Sequence, residues 1–505
     1  MPIVPVVPAL LLAGSSTSQF YNSLFDDTFA GIHHLAFFDW AILIPYFTIL
    51  ILLSCYGLHR FEMIRAYLKH RRKIEAEVPK PWPALPRVTI QLPLYNERDV
   101  VERLLESATR IDYPRELLQI QVLDDSTDET HPFAERLVAE YAASGVPIEY
   151  RHRDNRHGFK AGALQAGLET ATGEFVAIFD ADFLPPRDFL KRTIDYFTDS
   201  NVGVVQTRWT YFNRHASVLT EVEAMLLDGH FIIEHGARSG SGLFFNFNGT
   251  AGVIRRTMIA DAGGWQHDTL TEDSDLSYRA QLRGWRFVYA PSIECPSELP
   301  EDMFAFQVQQ ARWAKGLTQV AKKLLPAILR SNISPRRKLE ACFHLTPNIS
   351  YPLMLIISML TLPVMIVRFY MGWMQMLLID LPLIVASFWS ISAFYVMAYK
   401  VVFPGQWKRS LLLMPALMAA GVALTISNCR AVIEAIFGVK TAFARTPKTG
   451  GAIRPVNCAA RYRRRSCWLP FAEIAMGAWF VWMIEFAIET LNFPAIPFLL
   501  LFVAG

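Results

Sequence analysis

Two aspartates, Asp180 and Asp182, stand one residue apart at the end of the apolar run Phe175 to Phe179. Carboxylates in this arrangement are good ligands for Mg²⁺ or Mn²⁺, which prefer oxygen donors and often share them with substrate phosphates. A turn is the plainer explanation, because aspartate is frequent where strands end and Pro185 and Pro186 follow. The spacing of the two aspartates is not sufficient to predict a cation site for a diphosphate. Other motifs must support that prediction.

A second acidic pair, Asp124 and Asp125, closes the β-like run Leu118 to Leu123. In a sheet of parallel strands, ligands bind beyond the carboxyl ends of the strands, which share one edge. Both acidic pairs are therefore predicted to face one crevice. Four carboxylates in one crevice would repel one another, and burial would raise their pKa values, so a divalent cation is expected to balance the charge.

Two further motifs carry groups suited to group transfer. Glu272 and Asp273 precede a helix-like stretch, and Gln309, Arg312 and Trp313 are spaced to share one helix face. Each motif also has an ordinary explanation. Acidic residues stabilise the first turn of many helices, and a tryptophan beside an arginine is typical of a helix at a membrane surface.

The four motifs in this order resemble the signature of the processive glycosyltransferases of family 2, the cellulose synthase-like group. The matching residues are Asp125, Asp180 with Asp182, Thr271-Glu272-Asp273, and Gln309-x-x-Arg312-Trp313. The segments Gln91 to Glu97 and Phe247 to Arg256 are most similar to the glucomannan, β-mannan and β-glucan synthase branch. The resemblance covers the chain from about Arg87 to its end.

The resemblance implies an inverting hexosyltransferase that uses GDP-mannose or UDP-glucose to extend a β-linked polysaccharide. Asp180 and Asp182 would hold Mg²⁺ or Mn²⁺, and Asp273, beside Glu272, would be the general base. Trp313 would stack on the acceptor sugar, and Arg312 would offer positive charge for the phosphates, with Gln309 on the same helix face. Residues expected to contact the donor are Pro93, Tyr95, Glu97, Asp124, Asp125, Lys160 and Asp180.

A basic loop near the C-terminus is similar to the gating loop of cellulose synthases. The stretch Phe443 to Gly451 departs from that pattern at Arg445 and inserts Thr449, and the resemblance assigns donor contacts to Thr446 and Lys448. A loop with an aromatic anchor, a cation and two glycines suits a lid over a diphosphate. Attraction of a basic segment to anionic lipid is the plainer explanation.

The order of elements that must position these residues predicts an α/β fold. Five β-like runs alternate with helix-like stretches between residues 80 and 300, which is typical of a mostly parallel sheet with helices on both faces. The resemblance names this fold as a mixed, Rossmann-like GT-A domain embedded between transmembrane helices. Residues 301–345 are predicted to form amphipathic helices at the membrane interface.

Composition places part of the chain in a bilayer, because 52% of its 505 residues are hydrophobic and only 19% are charged. The net charge of +3 gives no reason to expect a nucleic-acid partner. After an N-terminal segment, 1–34, five spans are predicted at 35–58, 351–370, 376–399, 468–488 and 491–503. An interfacial helix is expected at 411–438, and a basic cytosolic loop at 439–466.

The basic residues after the first span place the catalytic domain in the cytosol, in a bacterial inner membrane or an equivalent one. Two alternatives remain open. The acceptor could be a lipid such as ceramide or diacylglycerol, which would receive a single sugar. The chain could also be a membrane scaffold with a degenerate catalytic fold, although every motif position is intact. The sequence does not distinguish glucose from mannose.

Overall fold

The computed structural model describes residues 36–75, 77, 79–369, 374–440, 468–489 and 495–505. The predicted N-terminal segment 1–34 lies outside these residues. Most of the predicted loop 439–466 also lies outside them, including Thr446 and Lys448.

A seven-stranded sheet forms the centre of the globular part, in the order β3-β2-β1-β4-β6-β5-β7. The strands are β1 Val88–Leu94, β2 Leu118–Asp124, β3 Ile148–His152, β4 Phe175–Ile178, β5 Val202–Tyr211, β6 Gly252–Arg255 and β7 Arg286–Ser297. Only β6 runs antiparallel to its neighbours, β4 and β5. The prediction of a mixed, mostly parallel sheet is confirmed. The five predicted strands are β1 to β5, whereas β6 and β7 were not predicted.

Helices cover both faces of the sheet and continue beyond it. Helix α1, Phe37–Glu75, precedes the sheet. The helices of the globular part are α2 Val101–Thr109, α3 Thr130–Ala143, α4 Phe159–Leu168, α5 Phe189–Thr193, α6 Val218–Asp228, α7 Gly236–Gly240, α8 Arg256–Asp261 and α9 Glu272–Leu282. A π-helical turn, Gly229–His235, joins α6 to α7. The later helices are α10 Met303–Arg330, α11 Pro335–Leu345, α12 Ser350–Phe369, α13 Met374–Val402, α14 Trp407–Ala423, α15 Thr425–Ile436, α16 Leu469–Glu489 and α17 Ile496–Ala504.

Strand β4 shows how the alternation of side chains builds two core layers. Phe175 and Ala177 face the layer that contains α2, while Val176 and Ile178 face the layer that contains α4 and α9. All four side chains are fully buried, so the strand is a continuous apolar run, as expected for a strand covered on both sides. The acidic pair that follows therefore starts where the core ends.

Three of the described helices are long and apolar enough to cross a membrane: Phe37–Ile74, Pro347–Val367 and Leu469–Glu489. They overlap the predicted spans at 35–58, 351–370 and 468–488. Helices α14 and α15 pass the same test together but are bent by 41°, within the segment predicted to lie at the interface. Helix α17 is only 9 residues long in the described part. The five-span topology stays a prediction.

Helix α1 is longer than the predicted span and reaches the globular domain. Met63, Ala66 and Tyr67, on its C-terminal half, pack in one cluster against Ile233 of the π-helical turn and Ala237 of α7. Gly236 permits this contact, because an added Cβ would lie 2.8 Å from the Tyr67 ring. The globular domain thus packs directly against the end of the first candidate span.

Candidate active site

Asp180 lies at the carboxyl end of β4, where the backbone is fixed by its neighbours. Its amide donates to the hydroxyl of Thr250 at 2.9 Å, and its carbonyl accepts from the amide of Phe183 at 3.0 Å. Asp182 follows, and both aspartates are partly exposed. Because β4 is buried up to Ile178, the first positions that can offer carboxylates to a ligand are these two.

Lys160, in the first turn of α4, joins this strand end. Its ammonium group contacts the carboxylate of Asp180 and donates to the carbonyl of Gly249 at 3.0 Å. Gly249 has a φ of +81°, and an added Cβ would lie 3.1 Å from Oδ2 of Asp273 and 3.5 Å from Nζ of Lys160. The segment before β6 therefore passes between the two acidic motifs, where only a glycine fits.

Glu272 and Asp273 are the first two residues of α9 and do not precede the helix. The carboxylate of Asp273 accepts from the amide of Ser274 at 2.7 Å, and its carbonyl accepts from the hydroxyl of Ser277 at 2.6 Å. This position at a helix start turns the carboxylate toward Gly249 and Lys160. The first turn thus contributes to the site and not only to the stability of α9.

Helix α10 carries Gln309, Arg312 and Trp313, all partly buried. Close approach of α10 to the start of α9 depends on Gly316, since an added Cβ would lie 2.5 Å from the Thr271 side chain and 2.9 Å from its backbone nitrogen. Arg312 interacts electrostatically with all four carboxylates of Asp180, Asp182, Glu272 and Asp273. The three predicted motifs that contain these residues therefore meet in one place.

The charges in this cluster do not balance. Two cations, Lys160 and Arg312, face the four carboxylates. Burial, and then the neighbouring charge of Glu272, raises the pKa of Asp273 to about 7. Burial also raises the pKa values of Glu272 and Asp180. An excess of buried negative charge with partly exposed oxygens fits a divalent cation at Asp180 and Asp182.

A second cluster lies around the ends of β1 and β2. Asp125 receives two hydrogen bonds from Arg153, at 2.8 and 2.6 Å. The guanidinium of Arg156 lies 3.2 Å from the centre of the Tyr95 ring and also interacts with Asp125. The sequence predicted Tyr95 and Asp125 as donor contacts but missed both arginines. Their signal was the basic stretch that follows β3.

Pro93 and Glu97 lie on either side of this cluster in the chain. Pro93 is in β1, opposite Leu123 of β2, and the carbonyl of Glu97 accepts from the amides of Val100 and Val101, which start α2. The amide of Asp125 donates to the carbonyl of Leu94 at 3.0 Å. The structure thus brings Pro93, Tyr95, Glu97 and Asp125 to one edge of the sheet.

Asp124 is oriented differently from its neighbour and is fully buried. It accepts from the hydroxyl of Tyr150 and from the amide of Ser126 at 2.9 Å. Nδ1 of His131 and Nδ1 of His152 each lie 3.8 Å from its Oδ2 atom. The structure therefore does not bring Asp124 to the cluster around Asp180.

The three residues Asp124, His131 and His152 offer ligand atoms within 4.8 Å of one another, a spacing that could hold a metal ion. Two imidazoles and one carboxylate suit zinc better than magnesium. The hydroxyl of Tyr150 contacts Asp124 and lies 2.6 Å from Nδ1 of His131, so hydrogen bonds already satisfy two of the three groups. This triad is separate from the predicted pair of Asp180 and Asp182.

Residues 86–316, which hold all four motifs, match the family described as glycosyltransferase like family 2. The match covers the part of the chain that holds the sheet and the four motifs. The family 2 domain is also similar to curated plant proteins. Identity is 43% over 253 residues to glucomannan 4-beta-mannosyltransferase 1 of Oryza sativa subsp. japonica, covering 49% of each chain. It is 43% over 251 residues to glucomannan 4-beta-mannosyltransferase 2 of Arabidopsis thaliana, covering 49% of this chain and 47% of the relative.

The chain spans about half the length of these curated relatives. Among solved structures, a mannosyltransferase of Pyrobaculum calidifontis in complex with GDP-Man and Mn²⁺ matches 78% of this chain and 100% of its own, with 23% identity and a TM-score of 0.51. That similarity supports the GT-A fold of the family 2 domain.

Proposed function

We propose that the chain transfers a hexose from a nucleotide diphosphate sugar to a growing β-linked polysaccharide. The observation that carries this proposal is the meeting of Lys160, Asp180, Asp273 and Arg312 at the carboxyl edge of a family 2 sheet. GDP-mannose is the first candidate donor, because the curated plant relatives are named as mannosyltransferases and the archaeal structure holds GDP-Man. UDP-glucose is the second candidate.

In the proposed reaction, Asp273 takes the proton from an acceptor hydroxyl as the hydroxyl oxygen bonds to the anomeric carbon. The bond from that carbon to the diphosphate breaks, and the diphosphate leaves with the electron pair. A single displacement from the opposite face converts an α-linked donor into a β-linked product. A base with a pKa of about 7 is well matched to this role near neutral pH.

Asp180 and Asp182 would hold the cation, Mg²⁺ or Mn²⁺. When bound, such a cation neutralises charge on the diphosphate and on the leaving group. Lys160 and Arg312 add positive charge from the chain itself, because both face the same carboxylates. Arg312 can also form bidentate hydrogen bonds with a phosphate.

The nucleoside is proposed to lie against the cluster of Tyr95, Asp125, Arg153 and Arg156. The half-buried guanidinium of Arg156 covers one side of the Tyr95 ring, and stacked planar groups of this kind suit a base. Asp125 can accept from a ribose or a base, with Arg153 holding its carboxylate in place. Pro93 and Glu97 flank the same position.

The acceptor is proposed to stack on the indole of Trp313. From there a polymer path toward the membrane is supported by Gln307, also on α10, whose amide lies 3.5 Å from Glu473 of the candidate span α16. We propose the cytosolic side for the catalytic domain, because basic residues follow the first span on α1.

Membranes containing the chain should be incubated separately with radiolabelled GDP-mannose and UDP-glucose, and the products digested with linkage-specific glycanases. We expect a polymer labelled from GDP-mannose that β-mannanase degrades. A labelled product that is soluble in organic solvent and carries one sugar would support the lipid acceptor instead. Absence of transfer from both donors, with the protein folded, would contradict the proposed function.

A further inference from the structure

The side chain of Asn248 is held between two histidines. Its Nδ2 atom lies 2.9 Å from Nε2 of His230, and its Oδ1 atom lies 2.7 Å from Nε2 of His235. Its backbone amide donates to the side chain of Gln206 at 2.8 Å. Both histidines belong to the π-helical turn Gly229–His235, a type of distortion that is common at functional sites.

The positions of the protons follow from these contacts. Nε2 of His235 also lies 3.1 Å from the carbonyl of Asn246, which can only accept, so this nitrogen donates and Oδ1 of Asn248 accepts. Nδ2 of Asn248 must then donate to His230, whose Nδ1 is left to donate to Glu234 at 3.1 Å. Each hydrogen bond from His235 through Asn248 and His230 to Glu234 thus has a defined donor and acceptor. These bonds hold the amide of Asn248 in one orientation.

The two residues after Asn248 contact three ionisable residues of the active site. Gly249 accepts from Lys160 at 3.0 Å and lies beside the carboxylate of Asp273. Thr250 accepts from the amide of Asp180 at 2.9 Å. A shift of this short segment would displace the base, the lysine and the strand end together.

Behind the histidines, ion pairs connect the turn to the first candidate span. Arg238 bonds to Glu234 at 3.0 Å and to Glu340 at 2.8 Å, and its side chain is only 3% exposed. Glu340 in turn lies 2.8 Å from Nε2 of His59 on α1. Removing one member of a buried pair usually leaves a costly unpaired charge, so breaking this row would destabilise the turn.

We infer that Asn248 is a positioning residue of the transferase: clamped by His230 and His235, it fixes the Gly249–Thr250 segment against Lys160, Asp180 and Asp273. Asn248 acts through these residues and makes no bond to the reacting atoms in this role. The ion pairs of Arg238 with Glu234 and Glu340, and the contact of Glu340 with His59, connect the clamp to α1.

The test compares His230→Leu with His230→Gln in the full chain. A glutamine can accept from Asn248 and donate to Glu234, as a neutral histidine does, whereas leucine can do neither. We expect His230→Leu to speed amide hydrogen exchange over 247–251 and to lower kcat by about 100-fold, the cost of a misplacement near 1 Å. The donor KM should rise by a smaller factor than kcat falls, because misplacement acts mainly on the transition state. His230→Gln should restore both readouts.

Wild-type exchange and kcat in His230→Leu would overturn the inference. Equal losses in both variants, following an equal fall in melting temperature, would also overturn it, because the histidine would then be only structural. If His230→Leu does not accumulate, Asn248→Ala carries the same expectation. The expected loss of kcat rests on the proposed function, whereas hydrogen exchange can be measured without turnover. A wild-type chain that shows no transfer would therefore count against the proposed function and not against the clamp.

Discussion

Four acidic side chains and two basic ones meet at the carboxyl edge of the sheet, and this imbalance organises the chemistry of the site. Asp180 and Asp182 are partly exposed and can take a cation, while Asp273 is placed at a helix start beside Glu272. Burial raises the pKa of Asp273 to about 7, which suits the proposed role of a base near neutral pH. The cation pair and the base can therefore be tested separately.

Asp182→Ala should lower transfer by about 100-fold, because a cation supplies several kcal/mol of charge stabilisation and each 1.4 kcal/mol is tenfold in rate. The control is Asp188→Ala, whose side chain is 56% exposed a few residues further on, and which should transfer normally. Transfer would be measured with Mn²⁺, and again after EDTA and re-addition of Mn²⁺. Full turnover in EDTA would show that no cation is needed.

The acidic limb of kcat should lie near pH 7. The pKa of Asp273 is raised, so the base is ionised above about pH 7, and activity is lost as the pH falls through that value. Glu272→Gln removes the neighbouring negative charge that helps to raise this pKa and should move the limb to lower pH. A pH profile that is identical in both proteins would remove Asp273 from the role of base.

At the scale of elements, the sequence predicted the strands that end at the two acidic pairs but not the strand that completes the site. Strand β6 has the sequence Gly-Val-Ile-Arg, with only two large apolar side chains, whereas the equally short β4 is apolar throughout, so β6 could not be read from sequence. The sequence also did not predict a role for Asn248 and Gly249, because their contacts are with residues of the π-helical turn and of helices α4 and α9, which are distant in sequence. For Asp124 the local pattern was misleading, because it could not show that the carboxylate is buried against Tyr150, His131 and His152.

Gly316→Ala should lower transfer by about 100-fold or more, because a Cβ there would press on the backbone of Thr271 and push α10 away from α9. The matched control is Gly421→Ala in α14, where an added Cβ meets nothing within 4 Å. Both variants gain helix propensity, so the difference between them reports the contact. Equal activity of the two variants would mean that α10 does not need this approach.

At the scale of the whole molecule, the globular domain packs directly against the candidate span α1 and is not simply joined to it by a linker. Helix α1 inserts Met63 and Tyr67 against the π-helical turn, and α13 adds Phe394 and Ala398 to the same cluster. Composition predicted membrane helices but could not predict the packing of α1 against the π-helical turn, because this contact joins residues far apart in the chain. The support of the active site thus extends to the first candidate span.

Met63→Asp should lower the melting temperature and the transfer rate, since Met63 is 1% exposed and an unpaired charge would be buried there. Leu68→Asp lies on the same helix at a position that is 43% exposed and serves as the control. Thermal unfolding in detergent and transfer in membranes would be compared for the two. An unchanged melting temperature in Met63→Asp would show that α1 does not support the domain.

The stereochemistry of the bond formed tests the central claim most directly. The chain would be supplied with Mn²⁺ and α-linked GDP-mannose labelled with ¹³C at the anomeric carbon, and the one-bond carbon–hydrogen coupling of the product would be read by NMR. Single displacement with Asp273 as base predicts a β-linkage in the product, and no product from Asp273→Asn. An α-linkage, or normal transfer by Asp273→Asn, would contradict the account.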